Sequence, residues 1–504
     1  MRASGILMHI SSLPGKYGIG KLGQEAYDFV DFLVSAKQTY WQVLPISPTS
    51  YGDSPYQSFS VFAGNPYFID FDALEKEGLL KKSQYDNVFW GESQTEVDYS
   101  AIYQNIFKVL KIAYKNFSKK SDKAFDKFIR KNKWTNDYGL FMALKFAHDG
   151  KAWYEWEDEL RLCKKDAIAK AREQYADEIA FWQFLQFKYY EQWQALKEYA
   201  NKKGVKIIGD IPIYVAFDSV DVWMNPKYFL LDKNKEPIDV AGCPPDCFSP
   251  LGQLWGNPLY RWDKMESDGF KWWIKRIKFA SNIYDTVRID HFRGFDSYYA
   301  IPYGNKDATI GEWRKGVGIK LFKAVNEKLG KIDIIAEDLG FITKSVERLL
   351  KKSGYPGMKV LEFAFDRNGK SVYLPHNFKD KNSVVYTGTH DNETIAGWVK
   401  SQRKEDIAFC KKYLGVKRNK DIPWAMIRLA WGSVSDTAIA QMQDFLELDN
   451  TARMNTPSTV GNNWKWRMEP GSTSNELISK IAELTNTFDR NRYDDNRERM
   501  SPAF

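Results

Sequence analysis

Cysteine is scarce in this chain, with Cys163, Cys243, Cys247 and Cys410 the only four among 504 residues. Cys243 and Cys247 flank Pro-Pro-Asp, but no second close pair and no His-x-x-x-His completes a zinc set. No metal site is therefore expected, and the thiols are expected to be reduced. Long apolar runs are missing as well. None approaches the roughly 20 residues that a membrane helix needs, so no membrane partner is expected. The sequence opens Met-Arg-Ala-Ser-Gly and enters a strand-like run at once, without an apolar leader core or a small-residue cleavage pattern. The expectation is a cytoplasmic protein without a secretory leader. Neither sign of charge dominates: 73 Lys and Arg against 65 Asp and Glu leave a surplus of +8. Spread over this length, that is too little to mark a nucleic-acid surface, and no nucleic-acid partner is expected. Gly/Ser/Pro-rich linkers, internal repeats and low-complexity tracts are also absent, which argues against loosely tethered modules.

Aromatic residues are abundant, at 15% of the chain with 18 Trp and 28 Tyr. Two readings stay open at this level. The rings fill a large core, or they line a groove where flat faces pack on sugars while polar edges reach hydroxyls. Short apolar, β-rich runs recur with helical stretches between them, the pattern of parallel βα units. The runs are Ile6–Ile10, Tyr40–Leu44, Lys206–Ile211, Thr286–Ile289, Asp333–Ala336, Met358–Phe365 and Ser383–Thr387, with a weaker one at Ala438–Gln443. Eight such runs predict an α/β fold, a (β/α)8 TIM barrel with large insertions between strands. About 160 residues separate the second run from the third. Residues 74–202 read as a helical insertion whose Lys-rich stretch, Lys108 to Lys133, is a solvated face. Residues 218–284, rich in Pro, Gly and Trp, read as an irregular insertion, and residues 1–504 as one catalytic unit.

Barrel enzymes place their chemistry at the carboxyl ends of the strands. Here those ends carry Asp210 in Ile-Ile-Gly-Asp-Ile-Pro, Asp290 in Val-Arg-Ile-Asp-His-Phe, Glu337 in Ile-Ile-Ala-Glu-Asp-Leu-Gly, and His390-Asp391 after Tyr-Thr-Gly-Thr. An acid at a strand end can be a helix cap or half of a buried pair. Four of them, each following an apolar run, argue for a site. Glycosyl transfer gives the layout a reason, because one carboxylate attacks the anomeric carbon while a protonated partner serves the leaving oxygen. Arg288 and Asp290 lie two apart on one strand and point to one face, so the guanidinium favours ionised Asp290. The nearest basic residues to Glu337 in sequence, Lys331 and Lys344, are six and seven positions away. The contrast assigns the nucleophile to Asp290 and the proton to Glu337.

The segments Val-Arg-Ile-Asp-His-Phe-Arg-Gly-Phe (287–295), Ile-Ala-Glu-Asp-Leu-Gly (335–340) and Gly-Thr-His-Asp-Asn-Glu-Thr (388–394) resemble those of the 4-α-glucanotransferases, or amylomaltases. So do residues 52–60 with 64–67, 209–215, 244–249 running into 252–258, and Ala-Arg-Met-Asn-Thr-Pro (452–457). The resemblance spans the chain from the first strand to the last. It implies a retaining two-step transfer without cofactor or metal, from an α-1,4-glucan donor (maltodextrin, starch or glycogen) to glucose or a maltooligosaccharide. Asp290 and Glu337 would act as above, and Asp391 would be a third essential carboxylate that holds donor hydroxyls. Tyr56, Asp210, Arg288, His291 and His390 would surround the donor sugar. Residues 245–257, with Phe248, Ser249, Trp255 and Asn257, would form a mobile loop over the acceptor. Two departures stand out: Ser458 and Asn462 occupy positions where the family commonly has glycine, and Asn462 is expected to be left-handed.

Other readings are set beside this one. Gly18-Ile-Gly20-Lys-Leu-Gly23 fits a dinucleotide fingerprint, but its preceding loop is too long and no acid ends the second strand. A hydrolase of the α-amylase type would use the same barrel and acids with water as acceptor. A silent glucan-binding protein would have no use for the intact trio of Asp290, Glu337 and Asp391.

Overall fold

The computed structural model describes residues 2–50, 52–245, 249–366 and 369–491. Twelve strands occur among them: β1 (Ala3–Leu7), β2 (Tyr40–Gln42), β3 (Lys206–Pro212), β4 (Asp239–Cys243), β5 (Gln253–Pro258), β6 (Thr286–Asp290), β7 (Ser297–Pro302), β8 (Glu312–Lys315), β9 (Ile334–Ala336), β10 (Gly357–Val360), β11 (Ser383–Tyr386) and β12 (Thr437–Gln441). Eight of these form one parallel sheet in the order β10-β11-β12-β1-β2-β3-β6-β9. The Ala336 N–H donates to Pro356 O at 2.9 Å, which brings the two sheet ends together and all but closes a barrel. The strands are buried on both faces, as a parallel sheet wrapped in helices requires, and their sequences are accordingly near-continuous apolar runs.

All eight sequence-read strands exist, with shifted ends. The first spans Ala3–Leu7 rather than Ile6–Ile10, its end pulled back because Ile10–Ser12 winds into a 3-10 turn. The sixth stops at Val360, where Leu361–Phe363 turns the same way. Apolar content continues past both ends, so hydrophobicity alone does not mark them. The glycines of the apparent dinucleotide fingerprint serve packing. A Cβ on Gly20 would stand 1.8 Å from Ile10 O, and one on Gly23 would meet the Asp70 carboxyl at 2.6 Å.

Between β2 and β3 the chain is mostly helical, ending in the 27-residue helix Ala176–Lys202. At 1.5 Å per residue that helix runs about 40 Å. It carries Phe184 against Phe117 at 4.8 Å and, further along, hydrogen-bonds the barrel region through Trp193 Nε1 to Ile283 O at 3.0 Å. Gly139 lets the helix Trp134–Ala147 approach closely, since a Cβ there would lie 3.0 Å from Ile179 O. Much of the aromatic excess is therefore core. The helix Tyr99–Phe117 starts on Asp98, whose side chain accepts the Ala101 N–H at 2.9 Å, and its lysines, including Lys108, Lys111 and Lys115, are exposed.

Residues 218–284 are more regular than their composition suggests. They contain β4 and β5, and the helix Lys271–Ile283 that leads into β6. The two strands join β7 and β8 in an antiparallel sheet ordered β5-β4-β7-β8 beside the barrel mouth. Their ladder partners lie up to about 60 residues away, beyond the reach of local pattern. Among the described residues no helix is long and apolar enough to cross a membrane.

Candidate active site

Register brings the acids together. β3 pairs with β6 so that Asp210 stands opposite Arg288 and Pro212 opposite Asp290. β6 pairs with β9 through Ile289 and Ala336, so Glu337 follows directly beside Asp290, with its N–H on Ile289 O at 3.1 Å. Arg288 is buried in the barrel mouth and reaches two acids with one nitrogen, Asp210 Oδ2 at 2.5 Å and Asp290 Oδ1 at 3.1 Å. The Tyr56 hydroxyl donates to the same Asp210 oxygen at 2.7 Å. A row Tyr56–Asp210–Arg288–Asp290 thus fixes the first carboxylate from behind. The side chain of Asp290 keeps 27% of its surface open, whereas that of Asp210 keeps none.

Glu337 is held by backbone rather than side chains. Its Oε2 accepts the His291 N–H and its Oε1 the Leu339 N–H, both at 2.7 Å. The first bond requires His291 to sit in the left-handed region at φ 51°, a conformation that costs a non-glycine residue about 1 kcal/mol. Burial pushes the Glu337 carboxyl well above the ordinary range, and the facing charge of Asp290 adds to it. Arg288 and the two N–H groups oppose without prevailing. Asp290 is also raised by its enclosure, and Arg288 only limits the rise. Arg288 thus favours ionised Asp290, as its place on the strand predicts, without overcoming burial, and it acts on Glu337 in the same direction.

Asp391 contrasts with both. Burial again works to raise it, but His390, with Nε2 at 3.2 Å, and Asn455, donating from Nδ2 at 2.6 Å, hold it well below the usual carboxylate range. His390 is buried and stacks on Tyr56 with ring centres 5.1 Å apart and planes 16° apart. Trp464 tilts against both rings at 6.0 and 5.9 Å. Burial, followed by the charge of Arg293, depresses the His291 imidazole to about 3, so it is neutral.

On the other side of the mouth, Trp255 sits on β5, a strand, where a mobile loop was expected. Its ring meets His291 edge-on at 4.8 Å. Asn257 is buried, donating to Val215 O at 2.8 Å and accepting from Gln57 at 3.2 Å, so its amide braces backbone. Ser249 turns its hydroxyl to Gly252 O at 2.6 Å. Phe248 lies outside the described residues. Of the two glycine departures, Ser458 is left-handed at φ 64°, while Asn462 is not, the neighbouring Gly461 taking the positive φ instead. Gln57, Asn455 and Trp464 were passed over by the sequence reading, though Gln57 and Asn455 lie inside segments it quoted. Among the described residues no group of His, Cys, Asp and Glu is disposed to hold a metal ion.

Carboxylates converging at the ends of a parallel barrel's strands, ringed by tyrosine and tryptophan, define an enzyme of the (β/α)8 class that works on glycosidic bonds. The chain belongs to the 4-alpha-glucanotransferase family, whose profile matches residues 8–473. It is 50% identical to the 4-alpha-glucanotransferase of Clostridium butyricum over 486 residues, covering 96% of this chain and 100% of that protein. The 4-alpha-glucanotransferase of Thermus thermophilus is 45% identical over 500 residues, covering 97% and 99%. In structure it resembles the amylomaltase of Streptococcus agalactiae solved with acarbose, with a TM-score of 0.96, 44% identity, and 97% and 100% of the two chains covered.

Proposed function

We propose that this 4-α-glucanotransferase moves a segment of a 1,4-α-glucan onto the 4-hydroxyl of a second glucan or of glucose by double displacement. Asp290 attacks the anomeric carbon of the donor as Glu337 passes its proton to the departing 4-oxygen, and the reducing-end piece leaves. Glu337, now ionised, takes the proton of an incoming 4-hydroxyl, which displaces Asp290 and restores the configuration. Asp391, kept ionised by His390 and Asn455, accepts hydrogen bonds from the donor's hydroxyls. Tyr56, Arg288, His291 and His390 shape the donor pocket, and Trp255 gives the acceptor a ring to rest on. Maltodextrin, starch or glycogen would serve as donor, and no cofactor or metal enters the scheme.

The observation that carries this reading is the pair of adjoining strand ends. Asp290 is tied to a buried arginine, while Glu337 is raised by burial and by that same aspartate. Burial raises both, but the direct ion pair of Asp290 with Arg288 favours ionised Asp290 beside protonated Glu337. Incubation with maltotriose alone tests it. Transfer yields glucose and a ladder of longer oligosaccharides by thin-layer or mass analysis. Glucose and maltose alone would make the enzyme a hydrolase.

A further inference from the structure

Asp391 and His390 project from the turn that follows β11, and that turn is supported from behind by acids the scheme above does not use. Thr387 Oγ1 donates to Asp444 Oδ2 at 2.7 Å, and the Ile395 N–H donates to Asp444 Oδ1 at 2.8 Å, so Asp444 spans both feet of the turn. Glu362, just past β10, lies against its middle. The Glu362 N–H donates to Thr387 O at 3.2 Å. Its Oε1 is buried without a hydrogen-bond partner. A Cβ on Gly388 would stand 2.5 Å from that oxygen, so the carboxyl is pressed on the backbone two residues before His390. Glu393 is itself fixed, by Gln441 at its carbonyl (3.1 Å) and Asn450 at its carboxylate (2.5 Å).

We propose that Glu362 is a positioning residue for Asp391: packed on Gly388 and bonded through its N–H to Thr387 O, it fixes the turn that aims Asp391 and His390 at the donor sugar. The charged groups that face it are Asp444, Glu393 and Arg453. Arg453 is already engaged, donating to Asp391 O at 2.7 Å and Asn455 O at 2.8 Å. Two acids and one committed cation, around a buried carboxyl, favour the neutral form of Glu362. Burial, then Asp444 and Glu393, accordingly push it well above its usual range. Glu362 thus works through its shape against Gly388, not as a charge.

That distinction sets the test. The inference rests on Asp391 serving the donor sugar, so Asp391→Asn must first abolish the maltotriose disproportionation that wild type performs. Glu362→Gln keeps the planar shape and a neutral polar end against Gly388, while Glu362→Met keeps volume alone. The Gln variant should retain kcat within about twofold. The Met variant should lose about thirtyfold in kcat with KM moving less than about threefold, as expected for a displaced reacting group. A Met variant with wild-type kcat, or a Gln variant as impaired as Met, overturns the proposal. If circular dichroism finds Glu362→Met unfolded, Gly388→Ala decides, since its methyl drives the same carboxyl away. It should lower kcat about tenfold, and an unchanged kcat overturns the proposal.

Discussion

At the scale of single residues, the account turns on two carboxyls with opposite protonation. kcat/KM for maltotriose should be bell-shaped in pH, because Asp290 must be ionised and Glu337 protonated in the free enzyme. Enclosure raises both, so both limbs should stand above those of free carboxylic acids. Asp290 sets the acid limb, with activity rising as it loses its proton. Glu337 sets the alkaline limb, with activity falling as it loses its own. Arg288→Met removes the cation that limits Asp290 and should shift the acid limb upward by about one pH unit. An acid limb that stays in place would deny Arg288 its role. These acids were legible in the sequence because each directly follows an apolar strand. Asn455 and Glu362 were not, because Asp391 and Gly388, which they meet, lie 64 and 26 positions away, and nothing local marks the meeting.

At the scale of elements, the parallel strands were legible because burial on both faces makes them apolar throughout. The antiparallel sheet beside the mouth was not. Gln253–Pro258 carries Gly256 at φ 74° and Asn257, a composition that reads as loop. It is a strand because β4 offers it a partner edge. Trp255 consequently stands on a braced element, its backbone neighbour Asn257 bonded to Val215 and Gln57. On the proposed scheme, a fixed ring beside His291 would favour a sugar acceptor over water, which needs no platform. Trp255→Ala should lower the ratio of transfer to hydrolysis several-fold, about 1–2 kcal/mol of acceptor binding. Product analysis that finds both activities reduced equally, with folding intact, would remove Trp255 from the acceptor site.

At the scale of the whole molecule, the start of β1 and the stretch that leads into β12 are joined by one side chain. Arg490 is fully buried and donates to Ala3 O at 2.9 Å, Trp431 O at 2.7 Å, Ser435 O at 3.1 Å and Ser433 O at 3.2 Å. It thereby satisfies carbonyls around the carboxyl end of the helix Ile422–Gly432 and links them to β1. Arg2 adds bonds to Ser433 O at 2.6 Å and Trp431 O at 2.7 Å. Arg490→Met would take this donor from Ala3 O and Ser435 O, which Arg2 does not reach, at about 1–3 kcal/mol each, so Tm should fall by several degrees while kcat at low temperature holds. A melting curve that superimposes on wild type would show the bonds to be dispensable. No sequence pattern announces such a plug, since an arginine in the polar run Asp489-Arg490-Asn491-Arg492 reads as surface.

The central claim is that donor glucan is held covalently on Asp290 between the two displacements. Glu337→Gln, given an α-glucosyl donor with a leaving group that needs no proton, should form the glycosyl-enzyme and fail to pass it to a 4-hydroxyl. Mass analysis of the digested protein should then find the sugar on the peptide carrying Asp290, in ester linkage. A sugar on any other residue, or product of inverted configuration with no adduct formed, would contradict the account.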